Sequence, residues 1–152
     1  MKGDIQMNTR KPLFALLVLV FCLCRCAKPV GVPITEMNSD VLLGTWKGTG
    51  VVWSGLKAGQ MTNVTMNILT VEPVRAKIFM HGMPQGTVIY GFRGKIADGN
   101  IVGQLEGAFN LALKLGLHEK EDGRFELRGA YSFFRRQVLV HGDLQLVKIP
   151  KE

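Results

Sequence analysis

Eight stretches of this 152-residue chain alternate apolar and polar side chains with a period of two. That period puts successive side chains on opposite faces of an extended strand, so each stretch reads as a strand with one dry and one wet face. In TNVTMNILT the dry set is Val64, Met66 and Ile68, set against Asn63, Thr65 and Asn67. FNLALKLGL opposes Phe109, Leu111, Leu113, Leu115 and Leu117 to Asn110, Ala112 and Lys114, and RFELRGAYSF opposes Phe125, Leu127, Tyr131 and Phe133 to Arg124, Glu126 and Arg128. QVLVHGDLQLV sets Val138, Val140, Leu144 and Leu146 against His141, Asp143 and Gln145. TWKGTGVVW, VRAKIFMH, GTVIYGFRG and NIVGQLEG complete the set.

The connections between these stretches span only a few residues, and a parallel crossover needs a dozen or more, so neighbours in sequence pair antiparallel. Asp98-Gly99 and Asp122-Gly123 carry the dipeptide that tolerates the positive φ angles of tight hairpins. The fold class is therefore all-β, an eight-stranded antiparallel up-and-down meander. Closing it into a barrel satisfies both edges and buries the common apolar face. A two-sheet sandwich shares the same periodicity and is the rival arrangement.

The first segment differs in kind. Arg10 and Lys11 precede an apolar run from Leu13 to Cys24, the pattern of a charged n-region and an h-region. A membrane-spanning helix needs about twenty apolar residues, and this run is about half that, so residues 1–26 read as an export signal. All three cysteines, Cys22, Cys24 and Cys26, fall in or just after the run, which excludes a disulfide framework for the remaining domain. Two readings of that junction stay open: lipidation of one cysteine, or cleavage after Cys26 by an ordinary signal peptidase. Residues 27–38, with two prolines and little periodicity, suit a flexible linker. Ser39 is placed to cap a short helical turn over SDVLL, and residues 39–150 form the barrel domain. The expected location is the periplasm, the outer membrane as a lipoprotein, or outside the cell, with membrane contact only through an N-terminal lipid.

The formal charge of +7 includes the signal. Four of the nineteen basic residues and one of the twelve acidic residues precede Ala27, leaving fifteen against eleven. The basic residues alternate with acids, as in HEKEDGR, without the aromatic-studded basic stripe of a nucleic-acid binder, so no nucleic-acid partner is expected. His81, His118 and His141 sit on different hairpins with no zinc-ligand spacing. Neither a nucleophile elbow nor a phosphate-cradling loop is present. The sequence thus gives no catalytic residue, metal ligand or cofactor, and an enzyme is not expected.

One motif carries a family resemblance. In LLGTWKGTG a helical turn leads into Gly44-Thr45-Trp46, which resembles the first-strand signature of the calycins, the lipocalin, avidin and fatty-acid-binding-protein barrels. The resemblance implies that Trp46 plugs the closed end of the barrel and that Gly44 is structural. Lipocalins place an arginine over that Trp from the end of the last strand, and here Lys148 stands in that place.

Alternate connections of a meander lie at the same end. The end near Trp46 collects EPVR, IADGN and HEKEDGR, all polar and tight. The other end collects WSGLKAG, HGMPQG, EGAF and FFRRQ, with an apolar rim of the kind through which ligands enter or on which partners sit. The expected ligand-binding residues are Trp53, Met83, Phe133 and Arg135 at the rim, and Met66, Met80, Tyr90, Phe92 and Tyr131 inside. The expected ligand is a lipid or other apolar small molecule, with an acidic head near Arg135. The competing expectation is a packed barrel whose rim docks on another envelope protein without a small ligand.

Overall fold

The computed structural model describes residues 30–53, 59–106, 111–135 and 138–150, with only the backbone at 134, 135 and 138. The proposed signal at 1–26 and the inward placement of Phe109 lie outside these residues. After a short strand β1 (Val30–Val32) and a 3-10 turn (Ser39–Leu42) come β2 (Gly44–Val52), β3 (Met61–Val71), β4 (Val74–Met83), β5 (Gly86–Ala97), β6 (Asn100–Glu106), β7 (Ala112–Glu119), β8 (Phe125–Arg135) and β9 (Val138–Lys148). Each of β2 to β9 pairs antiparallel with its neighbour in sequence, and β9 returns to pair with β2 from Trp46↔Lys148 to Val52↔Gly142. The sheet is a closed eight-stranded meander barrel, so the sandwich is ruled out.

The alternating residues fall as the period requires. Val64, Met66 and Ile68 are buried, as are Leu113, Leu115 and Leu117 and the pair Leu144 and Leu146. Each such side chain contributes about 1.5–3 kcal/mol on burial. The Asp98-Gly99 dipeptide makes the two-residue β5–β6 turn, with φ angles of 50° and 70° between the partners Ala97 and Asn100. Asp122 works differently. It sits in a wider loop, where its carboxylate accepts the Arg124 backbone N–H at 3.0 Å and Arg124 Nε at 2.7 Å.

Two sequence expectations meet a different local structure. Within the stretch expected as a linker, Val30–Val32 pairs with Leu117–Glu119 of β7, and Ile34 is buried. The reason is a shortage of partners: β6 pairs with β7 only between Asn100↔Gly116 and Gln104↔Ala112, leaving the end of β7 open on that side. β1 continues in line with β6 and satisfies that edge, held by a bond from Ile34 N–H to Gly99 O of 3.1 Å. The 3-10 turn, likewise, is preceded by Asn38 and not capped by Ser39. Asn38 spends its side chain on the incoming loop, accepting from Thr35 N–H at 2.8 Å and donating to Pro33 O at 2.9 Å, while Ser39 is buried.

Candidate functional site

One end of the barrel is packed solid around Trp46, which is fully buried. Its indole N–H donates to Leu42 O at 2.8 Å, tying the 3-10 turn across the barrel floor. Lys148, the partner of Trp46 across the β2–β9 pair, holds its ammonium 5.7 Å from the centre of the indole and donates to Val41 O. A cation over an indole face is attracted by the ring's quadrupole, so Lys148 couples the last strand to the plug. Met66, Phe92, Leu115, Leu127 and Leu146 are buried with it in one apolar core.

Phe92 lies low because the wall beside it has no side chains. Gly94 and Gly103 are opposite each other on β5 and β6, and a methyl at either would come within 2.9 Å or 2.7 Å of the ring's Cζ. Both distances are closer than real carbon contacts allow. The ring therefore occupies that slot instead of projecting up the barrel.

Above this floor the barrel is hollow. A cavity of about 310 Å³ opens toward the end that carries the β2–β3, β4–β5, β6–β7 and β8–β9 connections. Its lower wall is aliphatic, with Val64, Ile78, Leu105, Leu113 and Leu144. Tyr90 and Tyr131 stand at mid-height, and Met80, Met83 and Phe133 rise toward the mouth, where Gln60, Thr62 and Gln85 add amide and hydroxyl groups. Among the described lining residues none carries a charge. The ion pair of Arg93 and Glu106, at 3.2 Å, is solvent-exposed on the outside of the wall.

Tyr131 owes its position to Gly142, its partner across β8 and β9, whose missing side chain leaves the space the phenol fills. The ring stacks on Phe133 with 6.3 Å between centroids and 17° between planes. Burial raises the phenol's pKa above the usual tyrosine value, and the carboxylate of Asp143 adds to the effect. Among the described residues neither the Tyr90 nor the Tyr131 hydroxyl has a hydrogen-bond partner.

The expected site residues whose side chains are described separate into three groups. Met80, Met83, Tyr90, Tyr131 and Phe133 line the cavity. Met66 and Phe92 do not; they belong to the packed floor, because inward parity gives a face but not a height. Trp53 lies at the rim but 63% exposed, sharing its parity with the outward Lys47 and Val51 and donating its backbone N–H to His141 O at 2.8 Å. The side chain of Arg135 lies outside the described residues. Gln60, Thr62, Gln85 and Gly50 were not anticipated. The first two share the inward parity of Val64, so the alternation could have found them had it been extended past the start of the apolar run.

On the outer wall one residue departs from the wet face expected of it. Glu126 is fully buried although it points away from the barrel axis. It accepts from Arg128 Nε at 2.6 Å and from Gln145 Nε2, with Lys120 Nζ at 3.9 Å. The three long side chains bend over the carboxylate and replace its water. His118, the cross-strand partner of Glu126, has its Nδ1 buried without a hydrogen-bond partner. No family model, curated protein or solved structure matches the chain.

Proposed function

We propose that this protein is an exported or lipid-anchored binding barrel of calycin-like type that takes a small apolar molecule or lipid through its open end. The observation that carries the reading is the cavity of about 310 Å³, walled by aliphatic and aromatic side chains and open opposite the Trp46 plug. That volume falls in the lower range of ligand sites, and an apolar lining with a few polar groups is their usual chemistry. The Gly44-Thr45-Trp46 start of β2 and the cation over the indole support the calycin-like comparison. Export rests on the apolar run from Leu13 to Cys24 behind Arg10 and Lys11. The protein acts by binding, not by catalysis.

The test is to block the cavity without disturbing the fold. Gly50 lines the cavity, and a carbon added there meets Val64, Leu144 and Tyr131 only at ordinary contact distances of 3.6–3.8 Å. Native mass spectrometry of the protein purified from cells that express the full chain should detect a co-purifying apolar molecule. Gly50→Leu protein should lack it. A clean apo mass for the wild type, with no uptake of apolar probes, would overturn the proposal.

A second reading draws on the outside of the rim. Trp53 and Met61 are each 63% exposed and Leu139 is 40% exposed, all at the open end. Such residues suit docking on another envelope protein. That reading gains if Trp53→Ala abolishes a protein contact while leaving ligand uptake intact.

A further inference from the structure

The cavity wall changes in polarity along its height. From floor to mouth the lining passes from Val64, Ile78 and Leu113 through the two tyrosines to a mouth where Gln60, Thr62 and Gln85 stand beside Met80, Met83 and Phe133. This gradient matches a molecule with a hydrocarbon end and a hydrogen-bonding end, seated tail first. The polar groups offered are hydroxyls and carboxamides, each able both to donate and to accept. None of the described lining residues supplies a positive or negative partner. A charged head drawn into this wall would surrender water without a counter-ion, which costs far more than burying a neutral group that finds a hydrogen bond.

The size of the space narrows the choice. The cavity of about 310 Å³ lies at the lower end of the range of small-molecule sites. A single hydrocarbon chain fits; a bulkier molecule would have to project through the open mouth.

Resting on the ligand-binding reading above, we infer that the ligand is a small uncharged amphiphile. It has one hydrocarbon tail ending in a neutral hydrogen-bonding group such as a hydroxyl, aldehyde or amide, and carboxylates of the same length are rejected. The tail lies against Ile78, Leu113 and Leu144, and the head reaches the level of the tyrosine hydroxyls or the Thr62 and Gln85 side chains. This differs from the sequence-based expectation of an acidic head guided by Arg135.

Three soluble probes of one chain length separate the outcomes: 1-octanol, octanoate and octylammonium, titrated calorimetrically at neutral pH into protein purified from cells expressing the full chain. Octanol should bind at least tenfold more tightly than either ion, and Gly50→Leu protein should lose the octanol heat. Octanoate binding as tightly as octanol, or more so, would overturn the inference while leaving the ligand-binding proposal standing. Absence of binding by all three, or octanol binding unaffected by Gly50→Leu, would overturn both, because the cavity would then not be the site.

Discussion

Tyr131 and Gly142 face each other across β8 and β9, and the phenol ring fills the volume that a side chain at 142 would need. The upper cavity wall is therefore shaped by an absence on one strand and an aromatic ring on the next. Gly142→Ala should force the ring to move and cost about 1–3 kcal/mol, the usual penalty of overpacking. Urea unfolding of the single variants and of the Tyr131→Ala/Gly142→Ala pair checks this. The two changes should be non-additive by at least about 0.5 kcal/mol, since removing the ring relieves the clash; strict additivity would show that the residues do not share that space.

The same tyrosine gives a pH signature. Its folded-state pKa is raised above about 10, the ordinary value. Between the unfolded and folded values the folded protein holds a proton that the unfolded chain has lost. The contribution is present in full below the unfolded pKa and is lost as pH rises through the folded one. Urea midpoints measured from neutral to strongly alkaline pH should fall less steeply above about pH 10 in Tyr131→Phe than in wild type. Identical slopes would locate the alkaline loss elsewhere.

At the floor, Lys148 holds the plug. Lys148→Met removes both the cation over Trp46 and the bond to Val41 O, and should cost about 1–3 kcal/mol. Lys148→Arg should keep most of that stability, because a guanidinium also interacts well with an indole face. A neutral Lys148→Met would remove the coupling from the account of this end.

The two tryptophans should report separately. Trp46 is fully buried and Trp53 is 63% exposed. Acrylamide should quench the Trp53 emission and leave the Trp46 emission nearly intact, and Trp53→Phe should abolish the quenchable fraction without lowering stability by more than about 0.5 kcal/mol.

Glu126→Ala should be the costliest change on the outer wall, about 1–3 kcal/mol by chemical denaturation, because it removes a buried carboxylate that accepts from both Arg128 and Gln145. Asp122, also paired with an arginine, is the control. Its pKa is lowered by the Arg124 guanidinium, but the pair lies on the solvent-exposed surface, so Asp122→Asn should change stability little. Equal effects at both positions would show that burial of Glu126 contributes nothing.

The barrel was legible in the sequence because alternation is a property of each strand alone. Val64, Met66 and Ile68 announce a dry face whatever they pack against. Height along the barrel is not such a property. Phe92 and Tyr90 are both inward on β5, yet one pairs with Ala76 near the floor and the other with Ile78 beside the cavity. Only the register of eight strands separates core from cavity wall, and the Gly94–Gly103 slot that lays Phe92 down comes from two strands at once. Three-residue pairing in β1 is too short for any period to show. The burial of Glu126 depends on side chains from two adjacent strands and a loop, so its own strand marks it as wet.

The pairing of β1 with the end of β7 also sets a direction. His118, opposite Gly31, lies in the row of partners that runs through Glu126, Val147 and Lys47, beside the tryptophan plug. Ile149 returns to the same end, donating to Thr45 O at 2.9 Å. The described chain thus enters and leaves through the barrel's base. Both ends of the described chain therefore lie at the face opposite the cavity mouth.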